Sequence, residues 1–334
     1  MGKAKIILIT LMILVSSLTA GCSGAQNSRY TKSGLYFDTI VSIDIYGASK
    51  DNADYILSEC MKLCDKYQQL FDEKIKTSDI YMINTSGGKS VKVDHDTVKL
   101  IESALYYSKL TGGRFDISID PVSDLWDFHE DNAHVPSGDE INNALTNVGY
   151  ENITVDSAND TVTVTGNATI DAGAVAKGYI ADRIADYLIS CPINGAIVNM
   201  GGDLKLIGTK NGRDPFNIGI NDPFSDDSVR ADLSLTDTAV ATSGTYERCI
   251  TVGDRKYHHI LDTATGYPVD TDIESVTVIC DDATSADCLC TVLIILGADD
   301  AIELVENTKD TEAYIIKSDG QVLQSSGMAK YIRQ

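Results

Sequence analysis

Positive charge is scarce in this sequence. Its 334 residues include 27 lysines and arginines against 49 aspartates and glutamates, a formal net charge of −22 at pH 7. A surface this acidic argues against nucleic-acid binding and against recognition of anionic lipid headgroups by basic patches. We therefore expect no nucleic-acid partner. The composition permits a divalent cation as a required partner of any anionic ligand.

Long hydrophobic runs are also scarce. The N-terminal run, residues 6–18, is too short for a membrane-spanning helix. It follows Lys3 and Lys5 and ends in small residues before Cys22, which is typical of a secretory signal and resembles a bacterial lipobox. We predict a lipoprotein signal peptide over 1–21 and lipidation of Cys22, which would anchor the protein to the bacterial cell membrane on its extracytoplasmic face. A plain signal peptide is the alternative.

The eight cysteines lack the spacing beside histidines that zinc sites require. With Cys22 assigned to the lipid, seven remain, and an odd number does not make a complete disulfide framework. Cys60 and Cys64 are four residues apart on or beside the apolar stripe of a predicted helix. We expect most of the cysteines to be small buried apolar residues.

Neither an internal repeat nor a linker interrupts residues 34–334, so we predict one domain there and a polar tether over 22–33. Apolar periodicity predicts the following main elements: helices over 51–71, 96–110 and 283–296, strands over 40–46, 196–200 and 313–316, and a hairpin over 152–165. Strands and helices do not alternate strictly. This order indicates an α+β domain with mixed or antiparallel sheets and packed helices, rather than a doubly wound sheet.

The stretch 171–179 follows a β-branched run and leads into an amphipathic helix. Such a turn exposes backbone amides at a helix N-terminus, where anions are favoured. Asp171 and Lys177 place an acceptor and a cation at its two ends. A connection that uses small residues only for close packing is the alternative.

Asp287 and Thr291 are four residues apart in the predicted helix over 283–296, so they share one face. A carboxylate and a hydroxyl are the hard oxygen ligands that Mg²⁺ accepts. The alternative is a carboxylate at a helix start and a buried threonine.

His258 and His259 lie where a predicted strand enters a turn. Adjacent strand residues point to opposite faces, so only one can face a given site, where it would suit a general base. A structural histidine is the alternative. The stretch 241–244 is either a ligand loop of hydroxyls and amides or a plain turn.

Together these stretches resemble the ApbE family of FAD:protein FMN transferases, most of which are exported bacterial lipoproteins. The residues that carry the resemblance, in the family's order, are Phe37-Asp38-Thr39, Gly113-Arg114-Phe115-Asp116, Asp171-x-x-Ala174-x-x-Lys177-Gly178-Tyr179, Asn199-Met200-Gly201-Gly202-Asp203, Thr242-Ser243-Gly244, His259-Ile260-Leu261-Asp262-x-x-Thr265-Gly266-Tyr267-Pro268 and Ala286-Asp287-x-x-x-Thr291. The resemblance implies the family's T-fold-like flavin transferase fold over nearly all of the mature chain.

The resemblance also implies roles for single residues. Those matched to FAD contacts are Phe37, Arg114, Phe115, Asp116, Asp171, Lys177 and Ile260. Asp287 and Thr291 match side-chain ligands of Mg²⁺, Ala174 matches a ligand through its backbone carbonyl, and His259 matches the histidine of proton transfer. Three positions depart from the family: Phe37-Asp38-Thr39 replaces a frequent Met-Gly-Thr, Thr263 replaces a common proline, and Cys290 stands where some members have another aspartate.

The implied reaction is Mg²⁺-dependent transfer of FMN from FAD to a serine or threonine hydroxyl of an exported or membrane flavoprotein subunit, with release of AMP. Two alternatives stay open. A Mg²⁺-dependent FAD pyrophosphatase would use the same residues, with water in place of the hydroxyl. A tethered flavin-binding or solute-binding lipoprotein would bind without catalysis.

Overall fold

The computed structural model describes residues 28–126, 128, 134–253 and 255–333. The predicted signal peptide, Cys22 and the first part of the predicted tether lie outside these residues. Within the described part of the chain, no helix combines the length and apolar character needed to cross a membrane.

The described chain contains fifteen strands and eight α-helices. The strands are β1 (Arg29–Tyr36), β2 (Thr39–Tyr46), β3 (Val91–Lys92), β4 (Ile153–Asp156), β5 (Thr161–Val164), β6 (Gly195–Met200), β7 (Asp203–Gly208), β8 (Phe216–Asp222), β9 (Ser225–Leu235), β10 (Ala239–Gly244), β11 (Cys249–Val252), β12 (Arg255–His258), β13 (Ile273–Cys280), β14 (Glu312–Lys317) and β15 (Val322–Gln324). The helices are α1 (Lys50–Phe71), α2 (Asp79–Asn84), α3 (His95–Leu110), α4 (Asp120–Trp126), α5 (Gly138–Leu145), α6 (Gly173–Ile189), α7 (Ala283–Leu296) and α8 (Ala298–Glu306).

One eight-stranded sheet organises the fold, in the order β1-β2-β6-β7-β10-β13-β14-β15. Its strand pairs are antiparallel throughout. Helices α1, α6 and α7 pack on one face around a core that includes Val41, Ile43 and Ile294. The predicted α+β class is confirmed.

The other face of the sheet is covered in part by the β8–β9 hairpin. Phe216 and Leu233 of this hairpin are buried against Tyr46, Leu206 and other residues that point out of the sheet on that side. The ring centroids of Phe216 and Tyr46 are 5.6 Å apart. The domain is therefore a three-layer structure of helices, sheet and hairpin.

Local sequence signals account well for the long helices. The side chain of Ser49 caps α1 at Asn52, and that of Asp282 caps α7 at Ser285. Cys60 and Cys64 lie on the buried face of α1, and all seven described cysteines are free. The helices α2, α4 and α8 were not predicted, because each is too short to show a clear apolar period.

The tether predicted over 22–33 extends too far into the chain. Residues from Arg29 onward form β1, which pairs with β2 along its whole length, and Ser28 donates a hydrogen bond to the Ala48 carbonyl. Because β1 is an edge strand, most of its side chains are exposed and polar. An exposed edge strand is rich in polar residues, as a tether is, and the prediction of a tether over 29–33 was therefore wrong.

The residues before α6 form no regular strand, although the β-branched run before residue 171 favours one. Instead, the side-chain amide of Asn84 pairs with the backbone of Ile170, donating to its carbonyl at 3.0 Å and accepting from its N–H at 2.9 Å. The Asp171 N–H donates to the Ile117 carbonyl. One asparagine side chain thus takes the place of a neighbouring strand.

Gly178 lets α6 and α7 approach closely. A Cβ atom at this position would collide with the backbone carbonyl of Ala283 at the start of α7. The absence of that atom lets the first turns of α7 pack against the first turns of α6, and this contact places Asp287 beside Lys177.

Candidate active site

One cleft of about 640 Å³ contains every described residue to which the sequence assigned a site role. These residues are Phe37, Arg114, Phe115, Asp116, Asp171, Ala174, Lys177, His259, Ile260, Asp287 and Thr291. They come from segments far apart in the chain. The structure therefore brings together the proposed FAD, metal and proton-transfer residues, while the individual roles stay predictions.

The cleft is strongly acidic. Ten carboxylate residues line it, against the four cationic residues Lys74, Arg114, Lys177 and Arg248. An anionic ligand in such surroundings needs positive charge beyond what the protein supplies. This charge balance is the first physical indication of a cation in the site.

Lys177 lies between two buried carboxylates. Its Nζ is 2.8 Å from Asp287 Oδ1 and 3.0 Å from Asp203 Oδ2, and the two aspartates are only 3% and 4% exposed. The second oxygen of Asp287 accepts the Gly178 N–H at 2.9 Å. The Lys177 ammonium is therefore engaged by protein groups, where the sequence predicted an FAD contact.

When both aspartates are ionised, the cluster of Lys177, Asp203 and Asp287 has two negative charges and one positive charge. Burial raises the pKa of Asp287 to about 6 against the opposing effect of Lys177, and burial likewise raises the pKa of Asp203. Burial alone would lower the pKa of Lys177, but the two carboxylates raise it. A cation at this cluster would compensate the excess charge.

The donor set here suits Mg²⁺. Asp287 and Thr291 lie on the cleft side of α7, and Ala174 contributes a carbonyl in the first turn of α6. The Cys288 Sγ, 3.7 Å from this carbonyl, shows that the carbonyl faces α7. Oxygen-only donors beside an uncompensated buried carboxylate are what a hard divalent cation binds, so the residues fit the predicted metal.

The Arg114–Asp116 turn has clear structural duties. The Arg114 guanidinium donates to the Ile295 carbonyl near the C-terminus of α7, a favourable place for a cation. Phe115 is buried in the core. The Asp116 carboxylate accepts from the N–H groups of Ser118 and Tyr150 at 2.8 and 2.6 Å. These bonds fix the turn as one wall of the cleft.

The two adjacent histidines point to opposite sides, as predicted. His259 lines the cleft, whereas His258 is buried behind it with Nε2 3.1 Å from the Val269 carbonyl. His259 Nδ1 lies 3.3 Å from the Arg248 carbonyl. Since a carbonyl only accepts, Nδ1 carries the proton and Nε2 is left free as the basic atom.

The pKa of His259 is lowered to about 4, first by burial and then by the nearby Arg248 cation. The imidazole is therefore neutral at physiological pH and able to accept a proton. A base held neutral in an acidic cleft is consistent with the proton-transfer role that the sequence implied.

A second acidic cluster lines the same cleft. One carboxylate oxygen from each of Glu73, Asp120 and Asp124 lies within 4.8 Å of the others. Burial, and after it the neighbouring Asp120 and Asp171 carboxylates, raise the pKa of Glu73 to about 8. Glu73 thus holds a proton at neutral pH. Asp171 itself accepts the N–H of Gly173, the first residue of α6, at 2.8 Å.

The sequence assigned no role to several residues that the fold brings into the cleft, chiefly Asp203, Arg248 and Glu73. Asp203 was part of the quoted motif around residues 199–203, and its position directly after two glycines was the available signal. Thr242 and Ser243 line the cleft as expected of ligand residues, but they belong to strand β10 and not to a loop.

The hairpin turn between β1 and β2 has unusual backbone geometry. Phe37 and Asp38 both have positive φ, 51° and 56°, a region that non-glycine residues seldom occupy. The turn lines the cleft. Positive φ at both central positions is the geometry of the two-residue turn that right-twisted strands prefer. The hairpin places Phe37 at the cleft, and the positive φ of a non-glycine residue there costs conformational free energy.

Comparison with known proteins shows the family of the chain. A family model described as the ApbE family matches residues 37–315. An FAD:protein FMN transferase of Treponema pallidum is 28% identical over 345 residues, which covers 97% of this chain and 95% of the relative. An FAD:protein FMN transferase of Klebsiella pneumoniae is 29% identical over 305 residues, covering 90% and 93%.

Solved structures share the fold. The crystal structure of the ApbE protein from Thermotoga maritima is 34% identical with a TM-score of 0.85, and the match covers 92% of this chain and 100% of that one. The flavin transferase ApbE from Vibrio cholerae is 25% identical with a TM-score of 0.81, covering 91% and 99%.

Proposed function

The chain belongs to the ApbE family and is an FAD:protein FMN transferase, and from this premise we propose that it moves FMN to a serine or threonine hydroxyl of an acceptor flavoprotein in a Mg²⁺-dependent reaction that releases AMP. The observation that carries the proposal is the shared cleft, in which the Lys177–Asp287–Asp203 cluster and a neutral His259 stand on the same lining surface.

Asp287, Thr291 and the Ala174 carbonyl would hold the metal, with Asp203 as a further carboxylate close by. Bound Mg²⁺ supplies charge neutralisation for the diphosphate and its leaving phosphate. Lys177 keeps the two aspartates ionised and in place. This arrangement also offsets the departure at Cys290, because Asp203 supplies a second carboxylate near the site.

His259 would take the proton of the attacking hydroxyl at Nε2. The acceptor oxygen forms a bond to the FMN-side phosphorus as the bond from that phosphorus to the AMP oxygen breaks, and AMP leaves with the electron pair. Such transfer depends on positioning and charge stabilisation more than on covalent participation by the protein. The Arg248 carbonyl orients the imidazole for this step.

The test is to incubate the protein with FAD, Mg²⁺ and a candidate acceptor domain and to measure acceptor mass. An added FMN mass supports the proposal. Free FMN with AMP and an unmodified acceptor would point to a pyrophosphatase instead, which uses the same residues with water as the nucleophile. Unchanged FAD would point to a flavin-binding protein without catalysis.

Two histidine variants sharpen the test. His259→Ala should slow transfer by roughly 10²–10⁴-fold, the range for a lost general base, and leave FAD binding nearly intact. The matched control is His258→Ala, which should retain transfer because His258 faces away from the cleft. An inactive His258→Ala beside an active His259→Ala would reverse the assignment.

The metal ligands have their own matched control. Asp287→Ala should raise the Mg²⁺ concentration needed for half-maximal transfer and abolish turnover at ordinary magnesium, with Thr291→Ala milder because a hydroxyl is the weaker ligand. Asp300→Asn, on the exposed start of α8, removes one negative charge outside the cleft. An equal magnesium requirement in Asp287→Ala and Asp300→Asn would contradict the assignment.

We further propose that Cys22 anchors the protein to the membrane, so that it meets exported or membrane acceptor subunits. The support is the short apolar run that ends in Ala20-Gly21-Cys22. Cys22→Ala should release the protein or leave an uncleaved precursor, as followed by fractionation and mass. A mature-sized variant that still sediments with membranes would exclude lipidation as the anchor.

A further inference from the structure

The four cations that line the cleft differ in what holds them. Lys177 is engaged by Asp203 and Asp287, the Arg114 guanidinium donates to the Ile295 carbonyl, and Lys74 pairs with Asp38 at 3.2 Å. Among the residues that the structure describes, Arg248 is the one lysine or arginine of the cleft whose side chain forms no hydrogen bond or ion pair, and its charge acts on the neighbouring Glu247 carboxylate only from beyond ion-pair distance.

The backbone of Arg248 is fixed although its side chain is unpaired. The residue lies in the connection between β10 and β11, and its carbonyl accepts the His259 N–H at 3.0 Å in addition to lying 3.3 Å from His259 Nδ1. The Arg248 charge also contributes to the lowered pKa of His259, and both residues line the cleft.

On the basis of the proposed function, we propose that Arg248 is a catalytic residue that binds the phosphate of FAD undergoing transfer. FAD brings a dianionic diphosphate into a cleft with ten carboxylates, so a cation that the protein does not already use has a clear electrostatic purpose there. A planar guanidinium can donate two parallel hydrogen bonds to phosphate oxygens. Its anchored backbone holds it beside the base, where it can contact the oxygens of the phosphorus under attack.

The proposal separates the duties of the two central cations. Lys177 balances the buried aspartates of the metal site, whereas Arg248 contacts the substrate directly. The sequence alone could not make this distinction, because it showed a lysine near a helix start and gave no sign of the carboxylates that engage it.

The test compares Arg248→Gln with Arg255→Gln. Arg255 lies on the adjacent strand β12, outside the cleft, with its guanidinium 5.0 Å from the Tyr257 ring. Both variants lose one positive charge. We expect Arg248→Gln to weaken FAD binding by about 10–100-fold and to lower the transfer rate constant by about 10²–10³-fold, with Arg255→Gln close to the parent in both.

Ligand choice distinguishes a phosphate contact from a structural effect. Riboflavin lacks phosphate, so Arg248→Gln and Arg255→Gln should bind it equally in calorimetric titrations. Arg248→Lys, which keeps the charge without the planar fork, should lie between Arg248→Gln and the parent. FAD affinity and transfer within twofold of the Arg255→Gln values, or an equal loss for riboflavin, would overturn the proposal.

The FAD titration tests the Arg248 contact independently of the proposed transferase function. FAD titration needs no acceptor and no turnover. A selective loss of FAD affinity in Arg248→Gln would support the phosphate contact even if the chain transferred no FMN to any acceptor. Normal FMN transfer by Arg248→Gln would reject Arg248 while leaving the transferase activity intact.

Discussion

At the residue scale, Lys177 is the cation that compensates the two buried carboxylates, Asp203 and Asp287. Removing one partner from a buried ion pair leaves an uncompensated charge, which costs several kcal/mol. Lys177→Met should therefore lower the free energy of unfolding by about 3 kcal/mol. Because the two buried aspartates would then lack their compensating cation and attract a metal ion more strongly, Mg²⁺ should raise the melting temperature of this variant more than that of the parent.

The matched control for Lys177→Met is Lys99→Met, which removes a surface lysine paired only with Glu102. An exposed pair of this kind contributes little to stability. Thermal unfolding with and without Mg²⁺ measures both variants. If magnesium stabilises the two equally, Lys177 does not hold the charge balance described above.

Glu73 predicts a pH dependence of stability. Its pKa rises from an ordinary value near 4.5 to about 8 in the fold, chiefly through burial and then through Asp120 and Asp171. The folded chain binds this proton more tightly than the unfolded chain. The stability that the group contributes is therefore complete below pH 4.5 and is lost as the pH rises through 8.

Glu73→Gln keeps the neutral shape at every pH, so above pH 8 it should be more stable than the parent by about 1–2 kcal/mol. Near pH 4.5 the two should be equal. Denaturant unfolding at pH 4.5, 7 and 9 measures the difference, with Glu59→Gln, a half-buried residue of α1 that pairs with the exposed Lys62, as control. A constant difference across these pH values would show that Glu73 does not retain its proton.

At the element scale, the contact between α6 and α7 assembles the charged centre. It depends on Gly178, where any side chain would meet the Ala283 carbonyl. Gly178→Ala should separate the two helices, destabilise the fold by about 1–3 kcal/mol and reduce transfer, because Asp287 would move away from Lys177. Replacing glycine by alanine inside a helix normally increases stability, so a loss of stability in Gly178→Ala would indicate the collision with Ala283.

Gly138→Ala supplies the comparison for Gly178→Ala. Gly138 begins helix α5, and a Cβ atom there would meet nothing within 4 Å. This variant should keep or slightly increase stability and leave transfer unchanged. Thermal unfolding and transfer rates decide between the two; a neutral Gly178→Ala would show that the helices can adjust without moving the site.

At the scale of the whole molecule, the domain begins at β1. Arg29 pairs with Asp44 at 2.8 Å, and the rings of Tyr30 and Tyr36 pack against the main core. A variant that starts at Ser28 should unfold at the same temperature as the mature chain. One that starts at Thr39 should be less stable or aggregate, since it exposes the edge of β2.

Thermal unfolding and light scattering of the two truncated variants measure this difference. Equal stability would mean that β1 is dispensable and that the tether extends to residue 33, as its composition first indicated. A clear loss on removal of β1 would place the boundary near residue 28.

Much of the local structure was predictable because it depends on short-range patterns. Apolar residues at helical spacing predicted α1 and α7 nearly to their ends, and the small-residue break at 158–160 predicted the β4–β5 hairpin. The alternation of side chains along a strand predicted that only one of His258 and His259 faces the cleft. Helical spacing alone placed Asp287 and Thr291 on one face.

The meeting of distant residues was not predictable in this way. Asp203 reaches Lys177 because β7 pairs within the central sheet, and Arg248 reaches His259 through the β10–β11 connection. The acidic cluster of Glu73 and Asp120 joins the end of α1 to the start of α4. None of these pairs is close in sequence, and none leaves a periodic signal.

The sequence by itself thus determined the long helices, several strands, the faces of those elements and, through ordered motifs, the family. Only the tertiary structure decided which cleft cation is engaged by carboxylates and which forms no ion pair with the described residues. The physical reason is that helix and strand periodicity follow from neighbouring backbone geometry, whereas ion pairing and burial depend on sheet order and on the close packing that Gly178 allows.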